Sequence, residues 1–153
     1  MSNSVRGRRP LGLSLVWIWA LAALAVPRAV AHDLDLVGPT VNSVLVFAPA
    51  VVWLAVVLPK RVPRPFLTLL MIGVCHGILL AATHQVLWTQ AHDAAPPRLG
   101  GNLEGTFSPG VEAVVMRLFA VFSSLLTGAG VGAVAGAVGW LLARMVPAFR
   151  PRL

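Results

Sequence analysis

Four long apolar runs, separated by short clusters of arginine, proline and glycine, dominate the chain. The first covers Leu11–Val26 and continues through Pro27, Arg28 and Ala29-Val30-Ala31. The second is Thr40–Leu58, the third Phe66–Trp88, and the fourth begins near Val111 and reaches Ala143. None alternates apolar and polar residues over stretches of about ten, as the strands of a membrane barrel do. Backbone groups in hydrocarbon must be satisfied within their own segment or in a closed barrel, so these runs read as helices.

A spanning helix needs about 20 residues to cross about 30 Å of hydrocarbon. The second and third runs suit one crossing each. The fourth would measure about 50 Å at ~1.5 Å per residue, too long for a simple crossing. Its buried part is therefore placed at 118–143, with Glu112 and Arg117 in or above the interface. The expected fold is an all-α integral membrane helical bundle forming a single domain over residues 1–153. Its four transmembrane helices fall at about 11–31, 40–58, 66–88 and 118–143, and residues 89–110 form the one long loop. Pro96-Pro97, Gly100-Gly101 and Ser108-Pro109-Gly110 mark turns in that loop.

The first run has a second reading. Arg6, Arg8 and Arg9 precede it, and Ala29-Val30-Ala31 fits the small-x-small pattern of a cleavage site. If the segment is a signal peptide, three spans remain in the same orientation. The arginine pair Arg8-Arg9 is too weak a match to a twin-arginine signal to add to this.

Composition agrees with lipid as the solvent. Of the 153 residues, 58% are hydrophobic and only 11% charged, against roughly 25% charged in soluble chains. The net charge of +7 raises nucleic acid as a partner. The cations fall in clusters beside apolar runs, with no basic face and no aromatic interleaving, which excludes that reading. Their placement instead sets topology. Arg6, Arg8 and Arg9, Lys60, Arg61 and Arg64, and Arg144, Arg150 and Arg152 share one side if the four spans alternate. Arg28, Arg98 and Arg117 lie on the other side with all five acids, Asp33, Asp35, Asp93, Glu104 and Glu112. The positive-inside rule puts the first set in the cytoplasm, with both termini. Lysine appears once among the twelve basic residues, and Ala, Val, Gly and Pro are abundant. This suggests a GC-rich bacterial genome and a location in the bacterial cytoplasmic (plasma) membrane. Trp88 and Trp140 fit interfacial anchors, whereas Trp17 and Trp19 are expected deeper.

Two features carry candidate function. On the fourth helix Gly128, Gly132 and Gly136 recur every four residues beside Ala129, Ala133 and Ala137. Such a stripe without bulk lets two backbones approach closely. It serves either an oligomer or membrane-protein partner, or packing within its own bundle. On the third helix His76 falls near the bilayer midplane, where an ionisable residue is a functional candidate. His84 lies two turns nearer the loop side, about 80° around the helix from His76, and Thr83 suits a wet end. Pro49 on the second helix is expected to kink it and free a carbonyl. His76, Thr83, His84 and Pro49 thus form a candidate polar intramembrane site for a proton relay or ligand. The bland alternative for His76 is a neutral ring bonded to a neighbouring backbone.

A metal is disfavoured. His76 and His84 stand ~12 Å apart along the axis, beyond the reach of one ion with ~2 Å bonds. No other span offers a second histidine for haem. A copper chelate would require cleavage to expose His32 as the first residue, so that its amine and ring act together with His92. The lone Cys75 reads as a small buried hydrophobe. There is no phosphate loop, nucleophile elbow or zinc spacing, and no carboxylate lies within a span. The expectation is a non-enzymatic structural or interaction subunit without a cofactor, packing through the fourth helix. The alternatives are a small transporter or channel component lined by the third helix and, more weakly, a metal- or haem-associated redox component.

Overall fold

The computed structural model describes residues 10–92 and 96–151. Among them every regular element is helical: α1 (Leu15–Ala22), α2 (Ala25–Asp33), α3 (Pro39–Val57), α4 (Pro65–Val86), the short α5 (Trp88–His92) and α6 (Pro109–Met145). α1 and α2 follow one another as a single interrupted segment. Four segments are therefore long and apolar enough to cross a membrane. Arg6, Arg8, Arg9, Asp93 and Arg152 lie outside the described residues.

The starts of the spans follow from local chemistry. Pro39, Pro65 and Pro109 each open a helix, where the fixed φ is favourable and the missing N–H has no intrahelical partner to lose. Ser14 caps α1 by accepting from the Trp17 amide at 3.3 Å. Ahead of it, Leu11 and Leu13 tuck against the α3–α4 loop. Gly12 has φ +71°, and a Cβ there would meet Pro63 Cδ at 2.7 Å, so this approach needs glycine.

Side-chain contacts define the arrangement. Thr68 donates to the Leu11 carbonyl at 2.7 Å, and His84 lies 2.6 Å from Asp33. The α1–α2 span and α4 therefore run in the same direction. Trp53 reaches Leu21, and Arg28 reaches Asn42, so α3 runs opposite to α1–α2. Gln85 and Arg117 meet at the Pro109 end of α6, so α6 runs opposite to α4. The spans alternate in direction, and α4 packs against all the others. A core of Ile18, Trp53, Val57, Leu69 and Ile72 is fully enclosed, and Cys75 joins it as one more apolar group. Large apolar side chains cover the outside. Val16, Phe47, Phe119 and Val134 are each at least 65% exposed, a surface suited to lipid tails and costly in water.

The tightest contact joins α4 to α6 through glycine. A Cβ added to Gly128 would collide with the Gly77 backbone, and one on Gly132 would sit 2.8 Å from Gly73 Cα. Gly136 faces Phe66 in the same way. The glycine stripe is thus consumed inside the bundle, against Gly73 and Gly77. The alanines are peripheral to it: Ala129 and Ala133 are half-buried and Ala137 is exposed. Gly130 faces open space.

α6 is one continuous helix of 37 residues, about 55 Å long. It starts within two residues of the apolar run that begins near Val111, and its Pro109 end continues beyond the 118–143 part expected in hydrocarbon. The loop before it is not wholly irregular, since α5 continues from α4 and residues Gly101–Leu103 form a 3-10 turn. Trp17 also departs from expectation. Because α1 starts only at Leu15, Trp17 sits near the end of its span, with Lys60 Nζ 5.1 Å from its ring. Arg144 covers Trp140 at 4.3 Å on the same end, and Arg117 covers Trp88 at 4.8 Å on the other.

Candidate functional site

Proline 27 organises the middle of the first span. It carries no N–H, and its ring crowds the carbonyl four residues back, Ala23. The helix tightens there, and the Val26 amide turns to the Ala23 carbonyl at 3.0 Å. The Ala22 carbonyl thereby loses its regular helical donor, and the Leu21 carbonyl keeps only a long bond from the Leu24 amide at 3.4 Å. Two polar side chains from other spans supply donors instead. Trp53 donates from Nε1 to the Leu21 carbonyl at 2.9 Å. His76 donates from Nδ1 to the Ala22 carbonyl at 3.2 Å. Their rings meet edge-on, with centroids 5.1 Å apart. His76 is thus a buried ring with a backbone partner, and it holds the break in α1–α2.

The four residues expected to form one polar site are not brought together. Thr83 donates to the Leu79 carbonyl of its own helix at 2.9 Å. α3 continues as one helix through Pro49, whereas the first span is interrupted between Ala22 and Ala25. Pro49 lines an apolar groove beside Leu24 and Pro27. Only His84 faces a polar space.

That space is a cavity of about 340 Å³ at the acid-bearing end of the bundle. α2 contributes Arg28, His32 and Asp33, and α4 contributes Leu80 and His84. Trp88 and His92 of α5 form the rim, and Ala120, Ser123, Ser124 and Thr127 of α6 form the far wall. Asp33 is the centre of its polar network. Its side chain is only 7% exposed, yet both oxygens are engaged. Oδ1 accepts from His32 Nδ1 at 3.1 Å and Oδ2 from His84 Nδ1 at 2.6 Å. A carboxylate accepts only, so both imidazoles carry their proton on Nδ1 and leave Nε2 as an acceptor when neutral. Ser123 and Ser124 donate to the Ala120 carbonyl at 3.1 and 2.7 Å, which leaves their oxygens free to accept. Directly beneath, a Cβ at Gly77 would lie 2.9 Å from the Ser124 carbonyl oxygen and 3.1 Å from Leu125 Cα. The two backbones close the floor.

Sequence reasoning found His84 and, in the setting of a cleaved terminus, His32 and His92. It missed Asp33 and Arg28 as members of a site. The available signal was the position of Asp33 at the end of the first span, level with the end of the third. Among the described residues, no three His, Cys, Asp or Glu side chains are placed to hold a metal ion. No protein-family model matches this chain, and no curated protein or solved structure matches it either.

Proposed function

We propose that this chain is a non-enzymatic interaction subunit of a bacterial cytoplasmic membrane, a rigid four-span scaffold that binds a small polar ligand in the Asp33–His84 cavity. The observation that carries this reading is a nearly buried carboxylate held by two imidazoles in a polar-walled space with a closed floor. A blind, hydrogen-bonding cavity suits binding. The glycine-packed α4–α6 pair supports a scaffold role, because its close contacts leave little room for rearrangement. Lys60, Arg61, Arg64, Arg144 and Arg150 gather at the opposite end, which supports a cytoplasmic Lys60 end and an outward-facing cavity. The enclosure of Ala25 and Ala29, with the bonds to Leu21 and Ala22, supports a first segment retained as a span.

The transport reading would pass a substrate from the cavity beyond Leu80, where the Gly77–Leu125 contact occupies the way. Cysteine labelling in intact cells tests orientation and access, in a Cys75→Ala background. Thr127→Cys should react with a membrane-impermeant maleimide from outside, and adding Ala120→Trp should block it. Lys60→Cys should react only after permeabilisation. The reverse pattern, or an unreactive Thr127→Cys, overturns the reading. The purified chain in vesicles loaded with a pH dye should hold a proton gradient; a leak would establish conduction instead.

A further inference from the structure

The groove on the lipid-facing side of the Pro27 break has a cation at its head. Leu24 and Pro27 form one wall, and Leu45, Ala48, Pro49 and Val52 of α3 form the other, enclosing about 180 Å³. Two prolines facing each other across it hold the walls apart. The α3 wall is Leu45 to Val52. Asn42, which Arg28 bonds, stands above it near the acid-bearing end, so the stretch from this contact to the groove floor runs from Asn42 to Val52. That is about 15 Å of helix, the depth of one leaflet of a 30 Å core. Arg28 stands at the upper end. It is half-buried within a span, where an unpaired charge is costly. Its Nε donates to Asn42 Oδ1 at 3.2 Å. Among the described residues no carboxylate pairs with it, since both ion pairs there belong to Asp33. The rest of its guanidinium fork is left for an anion, and a fork of this kind suits phosphate.

We infer that this groove is a binding site for one anionic phospholipid of the leaflet at the acid-bearing end. Its phosphate sits on Arg28 and Asn42, and one acyl chain lies along Leu45, Ala48 and Val52. The other occupant of an apolar groove, a second helix, would have to bring an acid to Arg28 at membrane depth. A lipid brings that charge at the right level. The site lies outside the polar cavity. Arg28 touches both, but Ala48 belongs to the groove alone.

The test is native mass spectrometry of the detergent-purified full chain, with added phosphatidylglycerol and with a diacyl glycolipid lacking phosphate. The wild type should retain one phosphatidylglycerol through detergent exchange and not the glycolipid. Arg28→Gln should weaken retention about fivefold, the value of one arginine–anionic lipid contact. Arg28→Lys should recover part of it. Ala48→Trp should abolish retention while leaving Thr127→Cys labelling intact, which separates failure here from failure of the cavity reading. Inorganic phosphate should not displace the lipid. Equal retention of both lipids, or of phosphatidylglycerol by all variants with unchanged thermal unfolding, would overturn the proposal. A covalent dimer on crosslinking at Ala48→Cys would also overturn it by seating a second copy in the groove.

Discussion

His76 of α4 donates from Nδ1 to the backbone carbonyl of Ala22, 54 residues earlier and 3.2 Å away, and that carbonyl is available because Pro27 stands five residues after it. A sequence feature that breaks one helix is thereby coupled to a histidine buried in another. An orphan carbonyl in hydrocarbon has no water to turn to, so the imidazole replaces the amide that the proline displaced.

The coupling can be measured. His76→Leu should destabilise the chain by about 1–2 kcal/mol, the cost of leaving a buried acceptor unpaired. Pro27→Ala gives the Ala23 carbonyl its own amide donor, which frees the Val26 amide to return to the Ala22 carbonyl and lets the helix close. In that background His76→Leu should cost much less, so a double-mutant cycle should give a coupling of at least about 0.5 kcal/mol. Reversible unfolding in mixed micelles provides the readout. Strictly additive effects would mean that the proline and the histidine act independently.

The α4–α6 contact makes a sharper prediction about the glycines. Gly132→Leu places a branched side chain where Gly73 Cα already stands. Overpacking of this kind is not relieved by rotamer choice, since the neighbour is backbone. The variant should fail to fold as a monomeric bundle, seen as lost resistance to protease in detergent. Gly130→Leu, facing open space, should fold as the wild type does. If Gly132→Leu folds normally and alters only self-association, the stripe belongs to an intermolecular interface.

Much of the fold was legible from the runs themselves. The expected spans at 40–58 and 66–88 fall within two residues of Pro39–Val57 and Pro65–Val86, because a proline opens each helix and the Pro59-Lys60-Arg61 cluster closes the first. Interior events were less legible. Pro27 and Pro49 have similar surroundings in sequence, and only packing decides which of them interrupts a helix. At Pro27 the vacated carbonyls have Trp53 and His76 beside them, and the break is compensated. The glycine stripe was visible on α6, but its receiving surface, Gly73 and Gly77, is identified only when α4 lies antiparallel to it. The Asp33–His84 pair joins residues 51 positions apart, and no local pattern encodes it.

Asp33 should set the tautomer of both its histidines. Asn in its place turns one of the two oxygens into an amide donor, so it cannot accept from His32 at Oδ1 and from His84 at Oδ2 together. In Asp33→Asn, nitrogen NMR of labelled histidine should show His84 losing its uniform Nδ1–H form. Stability should fall by about 1 kcal/mol, less than a buried bond to a charged acceptor contributes, because the pair is partly solvated. A His84 spectrum unchanged from the wild type would show that the carboxylate does not orient the ring.

Glu112 should govern access to the long loop. Its Oε1 accepts from the Leu99 amide at 2.6 Å, anchoring the loop to the first turn of α6. That amide belongs to the Arg98–Leu99 bond, which trypsin would cut. Cleavage requires the strand around Arg98 to lift away and adopt an extended form in the protease, so the hydrogen bond must break first. A hydrogen bond to a charged group contributes about 1.5–3 kcal/mol. At the lower limit its loss raises the open population about tenfold. When opening is fast compared with cutting, the cleavage rate follows that population. Glu112→Ala should therefore be cut at Arg98 about tenfold faster than the wild type in micelles. Glu112→Gln, which keeps a neutral acceptor, should fall between them. Equal rates in all three would mean that the loop is held by other contacts, such as the packing of Pro96 and Pro97 beside Trp88.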